Sequence, residues 1–277
     1  MLSKLGIIAG GGELPGRLVR ACRESGRPFF VLAIEGHAVA ADIGADSPQR
    51  WIRIGEAGTG IRALRDAGCH DIIMAGPVRR PSLSDLRPDW RTARFFARLG
   101  FRALGDDSLL KALTVELEAE GFRVVGVETI LHDLLPEPGP LGRLSPDEQG
   151  RADIARAVTV CRAVGALDVG QAVVVQQGIV LGVEAIEGTD ALLSRCAGLR
   201  RSGPGGVLVK LCKPQQDRRV DLPTIGPQTV ENAATAGLRG IAVHAGRSII
   251  VDRATTLARA DALGLFVVGI SGEETVP

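Results

Sequence analysis

The order of the apolar runs limits most what this chain can fold into: through its first half, short β-prone stretches alternate with stretches of helical periodicity. That alternation predicts a parallel sheet covered by helices, because each return to the same end of a parallel sheet needs a crossover. Strands are expected over 5–9, 29–34, 51–54, 71–75 and 123–127, and helices over 14–24, 58–67, 88–98 and 108–120. The pattern is that of a Rossmann-like layer.

Periodicity is lost from Leu135 to Gly150, LPEPGPLGRLSPDEQG, where Pro and Gly accumulate and the chain is expected to leave one domain. Ser145, Pro146 and Glu148 there match a capping box with proline at the first helical position, ahead of an amphipathic helix reaching about Val164. The expected organisation is a nucleotide-binding domain over 1–135, a linker over 136–150 and an α/β catalytic domain over 151–277, with a ligand cleft between the two domains. In the second half, strands are expected over 172–176, 179–183, 207–211, 241–244, 249–251 and 265–268, and helices over 189–196, 229–236 and 254–262. Gln177-Gly178 suits a two-residue hairpin turn, so this domain is expected to mix antiparallel with parallel pairs.

Composition removes several classes of function. With 33 basic and 32 acidic residues there is no overall field to wrap nucleic acid, and a chain with no Tyr, seven Phe and two Trp has little with which to stack bases. Five cysteines without a CxxC pair suggest neither a disulfide framework nor a zinc cluster, and a reducing compartment fits them. The opening MLSKLGIIAGGG is too short for a signal peptide and is expected to be a first strand. No run approaches the ~18 uninterrupted apolar residues of a membrane span. A cytoplasmic protein that meets any lipid from the side is expected.

Several stretches carry residues suited to chemistry. Gly10, Gly11, Gly12 and Glu13 follow the first strand and open a helix, where backbone amides can approach a phosphate. The spacing is not GxGxxG, and a tight strand-to-helix turn accounts for it equally. Arg79 and Arg80 follow the strand at 71–75, at the sheet edge where open α/β folds bind ligands, and can grip a diphosphate. Gly105-Asp106-Asp107-Ser108 precedes a helix, as an N-cap or as a metal or ribose ligand. Glu184, Glu187, Thr189 and Asp190 gather hard oxygen ligands suited to Mg²⁺ at the end of an apolar strand; the plain alternative is that Thr189 or Asp190 caps the next helix.

The densest stretch is VLVKLCKPQQDRRVDLPTIGP, 207–227, a polar loop held between prolines and glycine. Asp217 and Asp221 can act as metal ligands or a base; Lys210, Lys213, Arg218 and Arg219 can neutralise pyrophosphate oxygens, and Gln216 and Thr224 can contact substrate. No GxSxG elbow is present, and His37, His70, His132 and His244 show no metal-ligand spacing, although His244 ends a strand and can line a cleft.

Six ordered segments, GGGELP, AGPVRRPS, GDDSLL, VEAIEGTDALLSR, VLVKLCKPQQDRRVDLPTIGPQTV and AGLRGIAVHAG, resemble the UDP-2,3-diacylglucosamine pyrophosphatases of Gram-negative lipid A synthesis that are unrelated to calcineurin-like phosphoesterases. The resemblance spans nearly the whole chain. It implies Mg²⁺-dependent hydrolysis of UDP-2,3-diacylglucosamine to UMP and 2,3-diacylglucosamine 1-phosphate (lipid X) by a two-domain protein, soluble or peripheral on the cytoplasmic face of the inner membrane. Its catalytic aspartate is expected to be Asp221, with Asp217 second; both would hold Mg²⁺ with Glu184 or Glu187, while Arg79, Arg80 and Lys213 hold the diphosphate. A homodimer is admitted, and membrane contact would use an apolar patch near Arg98 and Arg102. The competing readings are a nucleotide-sugar oxidoreductase, which would need a GxGxxG fingerprint and a proton-transferring Tyr or His, and a non-catalytic nucleotide- or lipid-binding module.

Overall fold

The first apolar run, Leu5–Ala9, is strand β1, the middle strand of a parallel sheet in the computed structural model, which describes residues 2–78, 88–99, 106–217, 219 and 222–272. β1 pairs in register with β2 (Phe29–Ile34) on one side and β4 (Asp71–Ala75) on the other; β3 (Gln49–Ile52) and β5 (Arg123–Val124) complete the order β3-β2-β1-β4-β5. Between the strands run α1 (Leu14–Glu24), α2 (Ala40–Ile43), α3 (Ala57–Asp66), α4 (Trp90–Leu99) and α5 (Asp106–Ala119). Leu32 and Ile34 of β2 pack with Ile61 and Leu64 of α3 and Leu117 of α5, while α1 buries Leu18, Val19 and Cys22. Helical cover lets these strands be apolar on successive residues, as a parallel sheet requires.

The boundaries of β3, β5 and α4 are among those that differ from expectation. β3 begins at Gln49 because its ladder partner is Val31. β5 stops after two residues, and the chain enters a 3₁₀ turn at Val127–Thr129. α4 starts at Trp90 because the Asp89 carboxylate caps it, accepting from Thr92 N at 2.8 Å; the same carboxylate accepts from Gly58 N at 2.8 Å.

The chain divides into two units: unit 1 is Met1–His132 with Asp217–Asp221, and unit 2 is Asp133–Gln216 with Leu222–Pro277. Unit 2 holds β6 (Gly139–Pro140), α6 (Glu148–Ala166), β7 (Ala172–Gln176), β8 (Ile179–Val183), α7 (Gly188–Ala197), β9 (Val207–Lys210), β10 (Thr224–Ile225), α8 (Pro227–Thr235), β11 (Gly240–His244), β12 (Ile249–Ile250), α9 (Arg253–Ala262) and β13 (Phe266–Ile270). Its main sheet has the order β6-β13-β11-β9-β7-β8. β9, β11 and β13 are parallel, and β6, β7 and β8 run antiparallel to their neighbours, so the sheet is mixed as expected.

Residues alternate between two cores across this sheet. Val173, Val175, Val207, Val209 and Val268 pack with Ile154, Val158 and Cys161 of α6, and Val174, Leu208, Ile241, Val243 and Val267 pack with Leu192, Leu193, Val230 and Ala260 of the opposite helices. Gln177 and Gly178 turn β7 into β8 with φ of 54° and 76°, as the hairpin reading requires, and Asp153 accepts from both amides. α6 is capped by Asp147, not Ser145: Asp147 is extended and its carboxylate accepts from Gly150 N at 2.7 Å, which puts Pro146 outside the helix. No described helix is long and apolar enough to cross a membrane.

Candidate active site

In unit 1 the strand order reverses between β1 and β4, the place where open α/β sheets bind ligands. The expected glycines stand there, engaged with protein. Gly10 N donates to Ala75 O at 2.8 Å and Gly11 N to Pro77 O at 2.9 Å, joining the loop after β1 to the loop after β4. A Cβ on Gly10 would lie 2.5 Å from Gly76 O, and one on Gly76, at φ 86°, would collide with the Gly11 carbonyl. Close backbone approach explains these glycines directly. Gly12 and Glu13 lie exposed at the opening of α1, and Glu13 makes no side-chain cap. Arg79 and Arg80 lie outside the described residues, as does Gly105 ahead of α5.

Unit 1 also takes in Asp217 and Arg219. Arg219 forks onto Asp217, Nε to Oδ1 at 3.0 Å and Nη2 to Oδ2 at 2.8 Å, and its backbone N adds a bond to Oδ1 at 3.1 Å. Its Nη1 reaches Glu118 Oε1 of α5 at 2.5 Å. The Arg219 hydrogen bonds hold the Asp217 carboxyl below the usual carboxylate range, and Asp217 chiefly pushes the Arg219 guanidinium upward. Asp221, Arg218 and Val220 lie outside the described residues.

In unit 2 the polar candidates share one sheet edge, at the C-terminal ends of β9, β11 and β13. Antiparallel β7 starts where β9 ends, Ala172 opposite Lys210, and Ala172 O accepts from Glu184 N at 2.8 Å, so Glu184 joins the same edge. Lys210 is buried and donates from Nζ to Thr224 O at 3.0 Å, tying the strand end to β10. Buried Gln216 closes a turn by accepting Lys213 N at 3.0 Å on Oε1. Lys213 Nζ meets Asp168 Oδ1 at 2.7 Å, and Gln215 Nε2 donates to Gly165 O at 2.8 Å, which anchors the loop to the end of α6. Buried His244 ends β11, and a Cβ on Gly272 would come within 3.0 Å of its Nε2.

The expected metal ligands of this edge already have protein partners. Glu184 is buried, accepting from Gln171 N at 3.0 Å and from Thr189 Oγ1 at 2.6 Å. Glu187 sits at the start of α7, accepting from Arg195 Nη2 at 2.7 Å and Ala185 N at 3.1 Å; its own amide first, then Arg195, lower its carboxyl. Thr189 therefore braces Glu184 and does not cap α7, while Asp190 accepts from Asn232. Among the described residues no group of three or more His, Cys, Asp or Glu is placed to hold a metal ion. Glu118 and Asp168 were missed from sequence, because each meets its partner across 101 and 45 residues of chain and no motif records that distance.

The family description "LpxI N-terminal domain" matches residues 4–134, and "LpxI C-terminal domain" matches residues 137–268. A curated relative from Caulobacter vibrioides, UDP-2,3-diacylglucosamine pyrophosphatase LpxI, is 44% identical over 281 residues, covering 99% of both chains. Among solved structures, the biotin carboxylase subunit of pyruvate carboxylase matches at 17% identity and a TM-score of 0.27, covering 63% of this chain and 35% of that one, a likeness too weak to carry an argument.

Proposed function

The chain belongs to the LpxI family, and on that premise we propose that it hydrolyses UDP-2,3-diacylglucosamine to UMP and 2,3-diacylglucosamine 1-phosphate. The observation that carries this reading is the 44% identity, end to end, with a relative named for that pyrophosphatase activity. One water is consumed, one phosphoanhydride P–O bond breaks and two phosphomonoesters form. Asp221 takes the proton of the attacking water in this proposal, and Lys210 and Lys213 at the unit 2 sheet edge offset charge on the diphosphate.

A Mg²⁺ requirement is part of the proposal. The ion would neutralise phosphoryl oxygens and acidify a bound water. Among the described carboxylates, Asp217, Glu184 and Glu187 each accept from protein donors. Water and substrate phosphate would supply most of its ligands, as is usual for Mg²⁺. Contact with a bilayer carrying the diacyl substrate is supported by exposed Leu167, Val169 and Ile186, on loops joined by the Gln171–Glu184 bond at that same sheet edge.

UMP release from UDP-2,3-diacylglucosamine by the purified protein, with Mg²⁺ and with excess chelator, tests the whole reading. Metal-dependent release is the expected result. Folded protein that binds the substrate and releases no UMP would make this a binding module.

A further inference from the structure

Resting on that functional reading, the geometry points to Glu118, Asp217 and Arg219 as a positioning clamp that fixes the segment leading to Asp221, with Asp217 neither a metal ligand nor a base. Three donors of one guanidinium serve it: Nε and Nη2 grip both oxygens of Asp217 and Nη1 reaches Glu118. The Arg219 amide adds a third bond to Asp217, so the two residues are joined by main chain and side chain together. A carboxylate engaged at both oxygens by a fork, and kept ionised by it, is poorly suited to take a proton or to exchange its partner for a cation.

α5 supplies a matching face. Lys111 and Glu118 are seven residues apart, two helical turns on one side, and the positive charge of Lys111 falls on Asp217 while Glu118 takes Arg219. The segment thus presents minus and plus to a helix face that presents plus and minus. The Arg219 and Glu118 side chains are 42% and 40% exposed, and ion pairs so exposed add little to stability. Breaking the clamp should therefore act on turnover and leave melting unchanged.

The test uses the full chain with Glu118→Gln, Asp217→Asn and Arg219→Lys. Each is expected to lower kcat about 10- to 100-fold, the order of effect expected when a reacting group is displaced, with KM, Tm and the Mg²⁺ concentration for half-activation within about twofold of wild type. Glu118→Asp should restore part of the rate, and Glu118→Gln with Asp217→Asn should be no worse than the poorer single variant, as for residues acting as one unit. Backbone amides of residues 216–219 should exchange hydrogen faster in all three single variants, a readout that needs no activity. A tenfold shift of Mg²⁺ activation in Asp217→Asn would make that residue a ligand; a raised KM at full kcat would make it a substrate contact; unchanged kcat and exchange would remove the clamp. If wild type itself releases no UMP, the functional reading fails while the exchange result still decides whether the clamp exists.

Discussion

The two candidate edges are built from different material. At the reversal between β1 and β4 of unit 1, loops are joined main chain to main chain, Gly10 to Ala75 and Gly11 to Pro77, and Gly10 and Gly76 leave no room for a Cβ where they meet. At the C-terminal edge of β9, β11 and β13 in unit 2, side chains do the joining: Lys210 to Thr224, Gln216 to Lys213, Lys213 to Asp168 and Glu184 to Thr189. A backbone edge is fixed by shape and tolerates no added atom. A side-chain edge is fixed by charge and can be retuned one group at a time.

Four perturbations sharpen that contrast. Asp221→Asn sets the upper bound, since it removes the proposed proton acceptor from the loop that leaves unit 2: UMP release should fall about 10³-fold or more while substrate still binds. Full turnover with the amide would end its assignment. Gly76→Ala should break the backbone edge by forcing a Cβ into the Gly11 carbonyl at φ 86°, costing on the order of 3 kcal/mol. Because Trp51 and Trp90 both belong to unit 1, tryptophan fluorescence during denaturant unfolding reads that loss in unit 1 alone. An unchanged midpoint would mean the edge yields more than its packing implies.

Asp168→Asn is gentler. With the Lys213 partner neutralised, kcat/KM should fall about fivefold, roughly 1 kcal/mol, with little change in Tm. A loss of stability equal to that of Gly76→Ala would erase the distinction between the edges. The smallest effect is expected at the far end of β4, where Asp71 is buried among Arg27, Arg123 and Ser3. Burial pushes its carboxyl up, but hydrogen bonds from Arg123 and Ser3 and the nearby charges bring it below the usual range. A lowered folded pKa means its contribution is complete above the unfolded value of about 3.9 and fades as pH falls through the folded one. Unit 1 midpoints measured between about pH 6 and pH 3 should fall less steeply in Asp71→Asn than in wild type.

Strands β1, β2, β4, β7 and β8 match their sequence reading residue for residue, because each is an apolar run closed by glycine, proline or a turn. Period two alone could not place β3, since QRWIRI alternates equally well in either position and only the ladder with Val31–Ile34 selects Gln49–Ile52. The two-residue strands β6, β10 and β12 exist through their partners, and no local pattern marks β6 or β10 as a strand. Ser145 and Asp147 both suit a helix cap by type; Arg239, which bonds Asp147 from 92 residues away, favours the second. The polar loop after β9 stood out by its density of charge. Which of its groups grip one another depends on α5 and α6, and no local motif tells that Arg219 joins Asp217 to Glu118.

Unit 1 is discontinuous in sequence, since Asp217–Asp221 belongs to it while the residues on either side belong to unit 2. A gene cut after residue 132 would not encode two self-sufficient proteins: the first fragment would lack the five residues that carry both aspartates of the polar loop. Recombination that exchanged one half between distant relatives would likewise part Glu118 from an Arg219 that had changed alongside it. The gene is therefore expected to be inherited whole, and a working split version must bring both fragments together in one cell.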